Sequence, residues 1–237
     1  MVLPDLCLNC ENTVSCKGVL CPECWGQMRF ISQPHCEITG MPFQYSFGER
    51  MASAEAIANP PPYTRARAVA LHDSVAARLV SRLKFNDRTD LAPWMAQYMA
   101  KSGAELIAES DLIIPIPLHK YRHWSRRYNQ SAELGRALAK QTGLDFRPEA
   151  LQRKRKTARQ VGLGREERVT NVRGAFRVPD AENIHVHGRS VLLIDDVITT
   201  GSTVNAATKA LLLAKAAQVN VLTFTIASSF HAKTTTS

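Results

Sequence analysis

The chain has 237 residues, a net charge of +9 and 45% hydrophobic residues. That length holds one full-sized domain plus a small module, and the composition is that of a soluble globular protein, which excludes fibrous and wholly disordered classes. No apolar run reaches the roughly 18 residues of a membrane span, and no basic-then-apolar leader opens the chain, so a cytoplasmic protein without membrane insertion is expected.

All six cysteines precede residue 37, and five lie within residues 7–24. Cys7-Leu-Asn-Cys10 and Cys21-Pro-Glu-Cys24 are two C-x-x-C knuckles. Each knuckle offers two thiolates to one tetrahedral ion, so Cys7, Cys10, Cys21 and Cys24 are expected to bind one structural Zn²⁺. The competing reading is a disulfide framework, which fits poorly with a long chain lacking an export signal. Four thiolates close the shell and leave no position for a substrate. Cys16 and Cys36 have no such partner, and Thr39 stands where a third knuckle would need cysteine, so both read as leftover thiols. Small and polar residues follow, ending in Asn59-Pro60-Pro61-Pro62, a stiff extended stretch. The expected division is a cysteine module over 1–40, a linker over 41–62 and a larger domain over 63–237.

Strand and helix signals alternate from Arg65 onward. Residues 68–71 read as a short strand. Val75, Leu79, Val80 and Leu83 recur at helical spacing and predict a helix over 74–85. A second helical pattern covers 91–107, and 111–115 reads as a buried strand. Residues 129–141 read as a helix with Asn129 as cap and Gly143 as stop. A strand is expected over 190–195, a helix over 202–217 and a last strand over 219–227. This alternation predicts an α/β fold: a mostly parallel sheet flanked by helices, with ligands outside the carboxyl ends of the strands.

One segment carries chemistry, Val191-Leu-Leu-Ile-Asp195-Asp196-Val-Ile-Thr199-Thr200-Gly201-Ser202-Thr203. An apolar strand runs into two carboxylates, then a hydroxyl- and glycine-rich loop, then a helix start. Such a loop brings N–H groups, hydroxyls and a helix N-terminus to one point, which suits a phosphate monoester. Gly201 permits close approach or a positive φ. Asp195 and Asp196 are acceptors for sugar hydroxyls or, through water, for Mg²⁺. A capped helix with no ligand is the bland alternative, but capping alone does not call for paired acids.

All thirteen of these positions match the signature of the type I phosphoribosyltransferases, which the segment resembles. That resemblance implies that Asp195 and Asp196 hold the ribose hydroxyls of phosphoribosyl pyrophosphate (PRPP), that Thr199, Thr200, Gly201, Ser202 and Thr203 hold its 5-phosphate, and that Mg²⁺ bridges pyrophosphate and ribose oxygens. The whole chain is similar to the ComF/GntX group, a cysteine-rich zinc module fused to a type I phosphoribosyltransferase-like domain. The matching stretches are the two knuckles, Pro61-Pro62, Leu83-Lys84-Phe85, Pro115-Ile116-Pro117-Leu118, Arg126-Arg127-Tyr128-Asn129-Gln130, and Thr157, Gln160, Arg168, Asn171, Ala175 and Phe176. Arg127 departs from the glycine usual in R-G-F-N-Q, and of the extra knuckles many members carry only Cys36 remains.

The resemblance implies a role in natural transformation or the use of exogenous DNA, work on single-stranded DNA, and a competence helicase or DNA-processing protein as partner. It places Pro115 and Ile116 at a pyrophosphate loop and residues 153–168 at a mobile loop over the site. Lys84 and Arg126 join Asp195 and Asp196 as candidate catalytic groups. Surface charge is the alternative account of both basic side chains, and Lys84 also suits a helix C-terminus.

Charge is unevenly spread. Residues 151–173 carry eight Lys/Arg against two acids, and Lys120, Arg122, Arg126 and Arg127 cluster without an acid. Arg153, Lys154, Arg155, Lys156 and Arg159 are the candidate nucleic-acid contacts, against the alternative of a solvated basic run. Tyr121, Trp124 and Tyr128 interleave with the arginines, a pattern suited to base stacking or to anchoring a loop. Gly162-Leu163-Gly164 lacks the strand context of a dinucleotide loop. His185 and His187 read as alternating residues of an exposed edge strand. Two functions stay open: a DNA-uptake factor that keeps a ribosyl-phosphate pocket, and a working phosphoribosyltransferase acting on a nucleobase or amine. The region after Ala217 shows no base-binding hood, which favours the first.

Overall fold

The structure is a computed structural model that describes residues 4–43, 45, 51–85, 88–118, 128–153 and 174–227. The larger part follows the alternation read from the sequence. Strand β1 (Ala66–Leu71) leads into α3 (Ser74–Phe85), α4 (Leu91–Ser102) and α5 (Ala104–Ala108), then β2 (Leu112–Pro115). Helix α6 (Gln130–Thr142) and the short β3 (Asp145–Phe146) follow. A small antiparallel pair, β4 (Gln152–Arg153) and β5 (Phe176–Arg177), precedes α7 (Asn183–Val186). Strand β6 (Ser190–Ile198), α8 (Ser202–Leu213) and β7 (Gln218–Ile226) complete the sheet. Two five-residue helices, α1 (Pro22–Gly26) and α2 (Ala54–Ala58), lie before β1, the second inside the stretch expected to be a linker.

The five main strands are ordered β1-β7-β6-β2-β3, and every described pairing among them is parallel. Period-2 alternation sends β6 to two cores at once. Leu192 and Ile194 pack with α3, α4 and α6, while Val191 and Leu193 pack with α8, α7 and β5. Helices therefore cover both faces, as a buried parallel sheet requires. The carboxyl ends of β1, β7, β6 and β2 share one edge.

Departures from the expected elements have local causes. The 91–107 helix is two helices, parted at Gly103, which leaves helical geometry at φ -108, ψ 17 with its N–H donating to Met99 O; only glycine fits there, since a Cβ would lie 2.7 Å from both Leu222 methyls of β7. Helix α8 stops at Leu213 because Lys215 takes φ +64 to turn the chain into β7. Asn129 and Gly143 cap α6 as expected: the Asn129 side chain accepts from Ser131 N–H, and Gly143 is left-handed at φ +77. The edge-strand reading of His185 and His187 is wrong, since His185 lies in α7 and His187 is its C-cap, with backbone N–H donating to Asn183 O. The residues there have a buried Val186 as their anchor, and the turn into β6 follows too soon for a strand to extend.

The cysteine module packs on this body at several places, among them an antiparallel bridge of Phe30 to Ala70 of β1. Cys7, Leu8, Leu20, Cys21, Cys24 and Met28 join the core beneath α3 and α4. Glu37 and Ile38 meet β1: Arg67, only 4% exposed, donates to the Glu37 carbonyl at 2.8 Å and pairs with its carboxylate at 3.0 Å, while Ala66 N–H donates to Ile38 O. Gly40 makes this approach possible, being at φ +70 with Ala66 O only 2.5 Å from where a Cβ would sit. Gly40→Ala combines backbone strain with a backbone clash, and a loss of about 1–3 kcal/mol in urea-monitored stability is expected.

Candidate functional site

Two constellations stand out, one of sulfur and one of oxygen. The Sγ atoms of Cys7, Cys10, Cys21 and Cys24 all lie within 4.8 Å of one another. Four sulfurs about 2.3 Å from a tetrahedral Zn²⁺ are about 3.8 Å apart, so the cluster fits that ion closely. Cys10 and Cys21 Sγ are already 3.6 Å apart. N–H groups of Asn9 and Cys21 donate to Cys7 Sγ at 3.5 and 3.2 Å, and the Asn9 side chain donates to Cys24 Sγ at 3.1 Å. Burial raises the Cys7 thiol, but backbone N–H groups of Cys10, Cys21 and Asn9 outweigh it and bring it down to about 6. Burial pushes Cys24 up to about 12, Asn9 acting against it. Four thiols so crowded need a divalent cation to ionise together, and zinc meets that need.

Asn9 also ties the cluster to α3, its Oδ1 accepting from Arg78 Nε at 3.2 Å. One turn on, Arg82 reaches Glu11 at 3.0 Å and the Leu8 carbonyl at 3.4 Å. The same helix ends with Lys84 at the second constellation.

There, β6 carries Asp195 and Asp196 to the edge of the sheet. Asp196 is 5% exposed and pairs with Lys84 Nζ at 2.9 Å. Asp195 Oδ1 accepts from the Ser131 hydroxyl at 2.8 Å and from Asp196 N–H at 2.9 Å. Although part of its surface is open, Asp195 lies deep among protein atoms. Burial, then the charge of Asp196, pushes its carboxyl up to about 7, while Lys84 and Ser131 pull the other way. His72, just past β1, sets Nδ1 2.9 Å from Thr225 Oγ1, and that hydroxyl donates to the Asp196 carbonyl at 3.4 Å. Burial first and the Lys84 charge second hold the His72 imidazole below its usual range, against Asp196 and Asp73.

The loop after β6 behaves as its residues suggest. Gly201 is left-handed at φ +72 and serves as the N-cap of α8. Thr200 and Ser202 hydroxyls are 2.9 Å apart, and Ser202 N–H faces Thr200 Oγ1 at 3.5 Å. The first turn of α8, opened by Ser202 and Thr203, directs its N–H groups out of the helix end toward this loop. Hydroxyls, N–H groups and a positive dipole end thus sit one loop away from the two acids.

The remaining predicted residues divide. Pro115 ends β2, and Ile116 continues it with N–H donating to Ile194 O; its side chain is buried in the core, so only its backbone faces this edge. Tyr128, Asn129 and Gln130 clamp the surroundings: Tyr128 OH donates to the Leu83 carbonyl, Gln130 to the Lys84 carbonyl at 3.4 Å and Asn129 to the Ile116 carbonyl at 3.0 Å. Arg153 lies in β4 with its guanidinium 5.3 Å from the Phe176 ring centre. Arg126, Lys154, Arg155, Lys156 and Arg159 lie outside the described residues, as do Tyr121, Trp124 and Gly162-Leu163-Gly164. His72 and Ser131 went unpredicted: a lone histidine and a serine in a helix start have no sequence signature, and only the neighbouring strands give them partners.

The double zinc ribbon domain pattern matches residues 1–57. The DNA utilization protein YhgH of Escherichia coli strain K12 is 30% identical over 224 residues, covering 91% of this chain and 88% of that protein. The chain belongs to the ComF/GntX family. Competence protein F of Haemophilus influenzae, 29% identical over 211 residues, covers 86% of the chain and 90% of its own length. The ComF/GntX chain described here has a mostly parallel sheet flanked by helices, with a four-cysteine zinc module at its start. Glutamine phosphoribosylpyrophosphate amidotransferase of B. subtilis overlays with a TM-score of 0.37 at 21% identity, over 63% of this chain and 27% of that one, and this partial overlay adds nothing to the assignment. Among the described residues, no helix is long and apolar enough to cross a membrane.

The raised carboxyl of Asp195 has a consequence for stability. In the folded chain it keeps its proton up to about pH 7, whereas unfolded it ionises near 3.8. Between those values the unfolded state binds fewer protons, so stability falls as pH rises and the loss is complete above about 7. Asp195→Asn cannot ionise and still accepts from Ser131; it is expected to flatten this slope and to exceed the native protein at pH values above 7 by about 1–3 kcal/mol, read from urea titrations. An unchanged slope contradicts the assignment.

Proposed function

We propose that this protein binds PRPP or ribose 5-phosphate at the β6–α8 edge and single-stranded DNA at its basic segments, and that it serves natural transformation or the use of exogenous DNA in the cytoplasm. The observation that carries the reading is the meeting of Asp195, Asp196, Lys84 and Ser131 beside the 199–203 loop. Asp195 and Asp196 are the acceptors for the ribose 2- and 3-hydroxyls. Thr199, Thr200, Ser202 and Thr203 hydroxyls, with N–H groups at the start of α8, receive the 5-phosphate, and Gly201 lets it approach the backbone. Asp196 Oδ2 is on Lys84 and Asp195 Oδ1 is on Ser131, so the reading gives Mg²⁺ to pyrophosphate and ribose oxygens and not to a carboxylate cage. Pro115, Ile116 and Arg126 are the proposed pyrophosphate side of the pocket.

The names of the relatives, DNA utilization protein and competence protein, support the DNA-handling role. Arg153, Lys154, Arg155, Lys156 and Arg159 are the proposed strand contacts, with a competence helicase or DNA-processing protein as partner. A second reading, an active phosphoribosyltransferase for a nucleobase or amine, is favoured by one observation. Asp195, brought up to about 7, has the range of a proton-transfer group at neutral pH. Turnover would displace pyrophosphate at the anomeric carbon, with catalysis resting on positioning and on stabilising the leaving charge.

Isothermal titration separates these readings. Ribose 5-phosphate, and PRPP with Mg²⁺, are expected to bind the native protein, and Asp195→Asn/Asp196→Asn to weaken binding by at least about tenfold, or about 1.4 kcal/mol. No binding of either ligand rejects the pocket; binding with pyrophosphate release on adding nucleobases selects the transferase. Single-strand affinity is expected to fall steeply with salt, and Arg153→Ala/Arg155→Ala to shallow that slope by about one to two units of log K per log salt. A flat native slope rejects the basic contacts.

A further inference from the structure

Residues 35–42 and 53–56 repeat the backbone of the zinc cluster with only one of its four cysteines. Cys7 N–H donates to Asn12 O at 2.8 Å, and Cys36 N–H donates to Met41 O at 2.8 Å. Glu11 N–H closes the first turn on Cys7 O at 3.2 Å, and Gly40 N–H closes the second on Cys36 O at 2.8 Å. Both closing residues are left-handed, Glu11 at φ +66 and Gly40 at φ +70. An isolated antiparallel bridge flanks each turn, Leu6 with Thr13 and His35 with Pro42.

The correspondence continues across each half. Cys21 N–H donates to Cys7 Sγ at 3.2 Å, and Ser53 N–H donates to Cys36 Sγ at 3.2 Å. Both donors are N-caps of five-residue helices. Cys21 Sγ accepts from Cys24 N–H at 3.5 Å, and Ser53 Oγ accepts from Ala56 N–H at 3.2 Å. Position by position, Cys36 stands for Cys7, Thr39 for Cys10, Ser53 for Cys21 and Ala56 for Cys24. The double ribbon pattern, which runs to residue 57, spans both halves.

We infer that residues 35–56 are a second zinc ribbon that has lost its metal but kept the ligand-bearing backbone, a latent tetrathiolate site for a thiophilic divalent cation. One thiol, two hydroxyls and a methyl cannot hold zinc: neutral hydroxyls are poor zinc donors and the methyl is none. These side chains instead fill the place an ion would take. Cys36 is fully buried, Ala56 is 2% and Thr39 3% exposed, and Cys36 Sγ lies 3.6 Å from Ser53 Oγ. The stabilisation that metal gives the first ribbon comes here from docking on β1 through Arg67, Glu37, Ile38 and Ala66. The chain therefore takes one Zn²⁺, in the first half, and holds the second half without any.

Metal analysis of the full chain purified under reducing conditions is expected to give one zinc per chain. Thr39→Cys/Ser53→Cys/Ala56→Cys is expected to give two, with Co²⁺ substitution doubling the thiolate-to-metal absorption per chain. Two zinc ions in the native protein, or one in a triple variant whose circular dichroism matches the native, overturns the inference. Should the triple variant not fold, Cys36→Ser decides: an unchanged zinc content supports a metal-free second ribbon, and a lowered content overturns it.

Discussion

Two adjacent carboxylates within the last half of a buried strand cannot both carry charge unless something positive faces them, and the site is arranged around that constraint. Lys84 supplies the charge for Asp196, and the carboxyl of Asp195 answers by holding its proton more tightly. A buried carboxylate deprived of its lysine is far costlier than the pair, so Lys84 has to be held where it is. The surroundings do this from several sides. Tyr128 and Gln130 bind the carbonyls of Leu83 and Lys84, and Asn129 binds that of Ile116. The stretch 128–130 is thus a brace for the ends of α3 and β2 in addition to being a helix start.

Helix α3 links this arrangement to the metal module. Arg78 and Arg82 grip Asn9, Leu8 and Glu11 on the ribbon, and Lys84 follows on the same helix. Leu79 and Leu83, both fully buried, fix the helix against the sheet between those contacts. The zinc cluster is distant from the acids in function but supports the element that neutralises one of them. Its structural character follows from the closed set of four sulfurs, which leaves no coordination position for chemistry. The second half of the module contributes differently, through the buried Arg67 and the Gly40 approach to β1.

Much of this was legible beforehand because it is local. The helix over 74–85 and the caps at Asn129 and Gly143 depend on neighbours within one or two turns, and the structure places them as read. The cysteine spacing already implied one tetrahedral site. Where the reading failed, contacts distant in sequence were responsible. Gly103 parts two helices at a place where Leu222 leaves no room for a side chain, and Lys215 ends another to reach β7. His185 and His187 alternate as a strand would, yet α7 and the turn into β6 use them otherwise. The helix α2 within 41–62 is five residues long, too short for any periodicity to show.

By itself the sequence determined the chemical vocabulary of the protein: four thiols in two knuckles, two acids at a strand end, a hydroxyl-rich loop with a glycine, and an alternation that demands a parallel sheet. Residue type and short-range spacing carry that information. Tertiary structure alone decided which groups meet. Lys84 faces Asp196 across 112 positions of chain, Ser131 reaches Asp195 across 64, and His72 reaches Thr225 across 153. Strand order decides those meetings, because only when β1, β7, β6 and β2 lie side by side do their carboxyl ends share an edge. A hydrogen bond or ion pair between residues so far apart leaves no periodic trace, which is why the vocabulary was readable and the grammar was not.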